Sequence, residues 1–139
     1  MTTTPDLVLT REPAAPPRGS GTRATTRWHD ICPFTTLMPE RGACAMVEGV
    51  QVALFLTFEG ELFATSNLDP FSGAYVISRG ILGTRGGAPT VASPMFKQVF
   101  DLRTGACLDD PDVTLRTFPV RRNPDTGRVE VALPDEHRE

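Results

Sequence analysis

The chain has 139 residues, 40% hydrophobic and 22% charged, with a formal net charge of −3. That length suits one domain with one core, and the charge provides no basic field to attract nucleic acid. No apolar run approaches the ~18 residues of a membrane helix and no hydrophobic leader opens the chain, so the expected compartment is the cytoplasm.

Residues 1–26 are rich in Thr, Pro, Ala and Arg, and Leu7, Val8 and Leu9 form their one apolar run. Such a stretch cannot offset its ordering entropy by burial, so a flexible extension is expected. The domain is expected over 27–134, opening near Trp28, with 135–139 a polar tail. Residues 43–47 read as a strand. Residues 50–58 alternate, with Val50, Val52, Leu54, Leu56 and Phe58 sharing one face. The other face carries Gln51, Ala53, Phe55 and Thr57, so it too is partly covered. Gly49 and Gly60 flank this strand as turn residues, and 61–66 follows as another strand.

Residues 69–88 read as a long loop with one short helical turn near 74–78, and long loops in small domains are commonly functional. Further strands are expected at 89–93, 97–102, 113–120 and 128–133. The turn "NPDTG" (123–127) joins the last two as a hairpin. Short strands at close spacing, with 12 glycines and 13 prolines against helix, predict an all-β antiparallel sandwich or barrel.

The three cysteines, Cys32, Cys44 and Cys107, are odd in number and form no CxxC pair. They read as buried free thiols rather than a disulfide framework or zinc knuckle. His29 lies near Cys32 in sequence, a weak signal for a catalytic thiol; His137 sits in the polar tail. Arg79, Arg85 and "GTRGG" lack a phosphate-loop pattern and read as solvated. Asp109, Asp110 and Asp112 lack calcium-loop spacing and read as a turn.

Two stretches carry more. "FATSNLDPFSGAYVISRG" (63–80) and "VASPMFKQVFDLRTG" (91–105) resemble the two cluster loops of a Rieske domain. That centre needs two cysteines on one iron and two histidines on the other, arriving as C-x-H and C-x-x-H. Asn67, Pro70 and Ser78-Arg79-Gly80 match the first loop. Pro94, Phe100, Asp101, Leu102, Thr104 and Gly105 match the second. The ligands are gone: Asp69 and Phe71 stand at the first cysteine and histidine, Ser93 and Phe96 at the second pair. Phenylalanine has no donor atom, and one carboxylate with one hydroxyl cannot hold two irons.

With "WHDIC" (28–32), "ERGACAMV" (40–47), "SRGIL" (78–82) and "FPVR" (118–121), the chain resembles the small subunit of the assimilatory NAD(P)H-dependent nitrite reductase. The resemblance covers residues 27–133. It implies a Rieske-like antiparallel β-sandwich of three small sheets with a loop-rich former cluster-binding subdomain. It implies no catalytic residue, metal or cofactor on this chain. It also implies a cytoplasmic large-subunit partner carrying FAD, an iron–sulfur cluster and siroheme, which reduces nitrite to ammonium with NADH or NADPH.

Two other readings stay open: a Rieske-type [2Fe-2S] electron carrier, against which the lost ligands speak, and a cluster-free binding module unrelated to nitrite. Phe71 and Phe96 either fill the space left by the cluster or form an exposed apolar tip. With Tyr75 and Met95 they are the candidate partner-docking residues. Asp69, before Pro70, reads as a turn residue bonded to its own backbone.

Overall fold

A computed structural model of the chain describes residues 26–134. In chain order the strands are β1 (Thr26–Pro33), β2 (Arg41–Val47), β3 (Val50–Leu56), β4 (Leu62–Ser66), β5 (Ile81–Arg85), β6 (Ala88–Ala92), β7 (Val99–Asp101), β8 (Thr117–Phe118), β9 (Val120–Arg122) and β10 (Arg128–Pro134). Helix is confined to two 3-10 turns, Phe34–Thr36 and Ile77–Arg79. The strands form three antiparallel sheets, ordered β1-β10-β9, β2-β3-β4-β8 and β5-β6-β7. The all-β, three-sheet expectation is met.

The alternation in β3 organises these sheets. Val50, Val52, Leu54 and Leu56 face one core, which they share with Val129, Val131 and Leu133 of β10. Ala53 and Phe55, on the opposite face and fully buried, join Val91, Phe100 and Ile77 in a second core, where the chain length had suggested one. The middle sheet is therefore covered on both faces, one by each outer sheet, and hydrophobic burial on both sides fixes the order of the layers.

Several segments depart from expectation. The strand expected at 113–120 is cut at Pro119, which has no N–H to donate to a ladder. Its halves, β8 and β9, enter different sheets. The Asn123–Gly127 turn does close a hairpin, with β9 as its first arm. There the Gly127 N–H donates to the Asn123 carbonyl at 2.8 Å. The loop expected at 69–88 contains β5 and the start of β6, joined through Gly86 and Gly87 with φ of 60° and 84°. In β5 four of five residues are exposed, so it shows no alternation to read. Strand β1 was not anticipated as a strand; it pairs along β10 with a bulge between Asp30 and Cys32. Phe58, expected on the core face, lies past the end of β3 and is 79% exposed. The proposed N-terminal extension and polar tail lie outside the described residues, apart from Thr26.

One close approach positions the functional region. The backbone at Ser78 lies so near Gly42 of β2 that a Cβ there would run into the Ser78 carbonyl oxygen. Glycine lets the segment carrying the Ile77–Arg79 turn lie flat on the middle sheet.

Candidate functional site

Two loops meet at one end of the molecule: residues 67–80, between β4 and β5, and the turn 93–98, between β6 and β7. Asn67 holds the first in place. It is 2% exposed. Its Nδ2 donates to Gln51 Oε1 at 3.0 Å and to the Tyr75 carbonyl at 3.1 Å, with Cys44 Sγ at 3.4 Å. Its Oδ1 accepts the Ser78 N–H at 2.7 Å. One amide thus uses both donors and its acceptor to lock the loop onto β2 and β3. Its partners sit 8 to 23 residues away, so no local sequence pattern signals this role.

Asp69 and Ser93, which the resemblance to Rieske loops sets at the two cysteine positions, face each other. Both are fully buried. Ser93 Oγ donates to Asp69 Oδ2 at 2.5 Å. Asp69 Oδ1 accepts the Phe71 N–H at 2.9 Å, and its carbonyl accepts the Gly73 N–H at 2.8 Å. Asp69 is therefore the turn residue expected, and also a cross-link between the loops. Ser93 organises the second turn: its N–H donates to the Gln98 carbonyl, its carbonyl accepts the Lys97 N–H, and its Oγ accepts the Met95 N–H.

Phe71 and Phe96, which the same resemblance sets at the histidine positions, part company. Phe71 is partly buried and packs on the second core, its ring centroid 6.2 Å from that of Phe100. Phe96 is 57% exposed, beside Met95 at 48%, and Tyr75 is 46% exposed. Of the four candidate docking residues, Phe71 fills space and three face solvent. Arg79 and Lys97 are exposed on the same two loops. Neither pairs with a carboxylate among the described residues. Arg85 does, with Asp109 at 3.3 Å; Asp109 also accepts the Val99 N–H, and these bonds hold its carboxyl below the ordinary range. The aspartate-rich turn is structural, as expected.

The donor set does not fit a Rieske cluster. Two of the four positions lack a donor atom, and the other two are bonded to each other. Among the described residues no three His, Cys, Asp or Glu side chains lie together as metal ligands. Nucleophilic chemistry is equally poorly served. Only Cys107 is buried as expected; Cys32 is half-buried and Cys44 exposed. Burial pushes the Cys32 thiol above its ordinary 9.0, with Arg128 opposing and Asp30 adding to the shift; burial also raises Cys44. Raised thiols supply little thiolate at neutral pH, so neither is an activated nucleophile. What the arrangement offers is a rigid, partly apolar surface.

Comparison with known proteins places these features. The profile of the Rieske-like [2Fe-2S] domain matches residues 27–132. The nitrite reductase (NADH) small subunit of Escherichia coli K12 is 38% identical over 97 residues, covering 69% of this chain and 90% of that protein. A crystal structure assigned to an NADH-dependent nitrite reductase small subunit from Mycobacterium tuberculosis superposes with a TM-score of 0.76. It is 46% identical over 78% of this chain and 96% of that one. A segment of the nitrite reductase [NAD(P)H] large subunit of Klebsiella oxytoca is 38% identical over 110 residues, spanning 79% of this chain but 11% of that protein.

Proposed function

This chain belongs to the Rieske-like [2Fe-2S] domain family, and given its nitrite reductase small-subunit relatives we propose that it is the small subunit of a cytoplasmic NAD(P)H-dependent nitrite reductase. It binds a large subunit carrying FAD, an iron–sulfur cluster and siroheme. It thereby supports the reduction of nitrite to ammonium in nitrate and nitrite assimilation. Its own contribution is non-catalytic, and it carries no cluster.

The observation that carries this reading is the buried Ser93–Asp69 hydrogen bond at the two cysteine positions. A domain without a redox centre has no electron to hold, so its effect on turnover passes through contact. The Klebsiella protein supports the choice of partner, because there a similar segment is part of the large-subunit chain itself.

Affinity purification of the full chain from native extract, with cofactor and metal analysis, tests the proposal. The expected result is co-purification of a large subunit containing FAD, iron and siroheme, while the separately purified small chain is colourless and iron-free. About two irons per isolated chain, with a visible charge-transfer band, makes it an electron carrier instead. Failure to retain any large subunit makes it a binding module of another kind.

A further inference from the structure

Large apolar side chains exposed singly are ordinary on a protein surface. The turn 93–98 is different. Ser93 ties it down through its N–H to the Gln98 carbonyl at 2.9 Å and its carbonyl to the Lys97 N–H at 3.0 Å. Its hydroxyl adds the Met95 N–H at 3.2 Å and Asp69 at 2.5 Å. Lys97 is held in the left-handed region, φ 67°. The side chains that this fixed frame projects outward are Met95 and Phe96, with Tyr75 on the adjoining loop. A preorganised apolar projection loses little further freedom when covered, which is the condition for an anchor residue.

The two loops expose charge of one sign, and the carboxylate beside them, Asp109 at the Val99 N–H, is paired with Arg85. Arg79 and Lys97 are exposed, and the one acidic residue of the two loops, Asp69, is fully buried. The chain as a whole carries a net charge of −3, so the two loops run against the overall balance. At the other end of β4, about 17 Å away at ~3.4 Å per residue, the pattern reverses. There Phe58 and Met38 are exposed among Glu40, Glu59 and Glu61, and Glu40 Oε2 accepts the Phe58 N–H at 2.6 Å. The protein therefore has a basic apolar end and an acidic apolar end, each with its turn tied down by hydrogen bonds, and the sign of the surrounding charge is what distinguishes them.

We propose that the large subunit receives the basic end, through an apolar recess rimmed by carboxylates that takes Met95 and Phe96 and pairs with Arg79 and Lys97. The inference rests on the subunit reading above and names the surface and the partner's chemistry. Opposite charges at the rim steer encounter and weaken with salt, while the apolar centre holds the complex.

The test measures affinity of the full chain for the purified large-subunit holoenzyme across a salt series. It compares wild type with M95A/F96A, R79E/K97E and M38A/F58A, each first checked for native melting. M95A/F96A is expected to bind about thirtyfold more weakly. R79E/K97E is expected to bind about tenfold more weakly and to lose the salt dependence of wild type. M38A/F58A is expected to bind like wild type. The charge reversal removes no packed side chain, so it decides the matter even where the alanine pair misfolds. Wild-type affinity in R79E/K97E, or a greater loss in M38A/F58A, overturns the assignment of the surface. So does tip-dependent self-association of the small chain without binding to the holoenzyme. Wild type that neither binds the holoenzyme nor itself overturns the subunit reading as well.

Discussion

Replacing Ser93 with alanine isolates the buried bond that joins the two loops. The change deletes one oxygen and leaves Asp69 Oδ2 with no donor in a site with no solvent access. A net hydrogen bond to a charged acceptor contributes about 1.5–3 kcal/mol, and a buried unsatisfied group costs about 1–3 kcal/mol. The Met95 N–H, on an exposed residue, finds water and adds little. The expected loss is therefore about 2–3 kcal/mol. At about 4 °C per kcal/mol for a domain of this size, melting falls by roughly 8–12 °C. Urea unfolding followed by the fluorescence of the single tryptophan, Trp28, measures it. A cycle with Asp69→Ala sharpens the test, because two residues sharing one bond are not additive. The double variant is expected to be more stable than the sum of the single losses by about 1–2 kcal/mol. If Ser93→Ala lies within ~0.5 kcal/mol of wild type, or the losses simply add, the two loops are not held by this bond and the cross-link argument fails.

Other perturbations follow from the same geometry. Asn67→Ala removes the acceptor of the Ser78 N–H and the amide donor to Gln51 Oε1 and the Tyr75 carbonyl, and is expected to cost about 3 kcal/mol by urea titration. Asn67→Asp gives no rescue, because a carboxylate cannot donate to Gln51 Oε1 or the Tyr75 carbonyl; recovery to wild-type stability refutes the assigned geometry. Gly105→Ala forces a Cβ against the Leu115 carbonyl at φ 83° and is expected to cost about 2–4 kcal/mol or prevent folding. Cys44 is exposed with its pKa raised above 9.0. At pH 7 less than ~1% is thiolate, so alkylation in the folded protein is slow and accelerates about tenfold per pH unit up to pH 9. A half-maximal rate below pH 9 contradicts the raised value.

Strands with a buried alternating face were legible: β3 declares itself because Val50, Val52, Leu54 and Leu56 must all reach one core. Strand β5 was not, because a largely exposed edge strand with a glycine at its centre buries almost nothing that patterning can register. Pro119 was visible, but only the sheet assignments show that it divides two sheets. At the site, the four positions without cluster ligands were read from the resemblance of the two stretches to Rieske cluster loops. That Asp69 and Ser93 had become bonded to each other was not, since the bond joins residues 24 apart. Phe71 and Phe96 looked equivalent in sequence. Burial separates them, one on Phe100 and one in solvent, and burial is a property of the assembled loops rather than of either residue.

The pairing of β1 with β10 has a consequence beyond its share of the core. Thr26 lies opposite Pro134, so the chain enters and leaves the described domain at neighbouring points, with Cα atoms ~5 Å apart. A unit with its entrance beside its exit can be spliced into another polypeptide without either flanking segment having to cross its width. Joined in that way to its partner, it docks at an effective concentration set by the linker, commonly millimolar, and a weak contact suffices. As a separate chain it finds its partner by diffusion at cellular concentration, and the contact surface alone must supply the affinity.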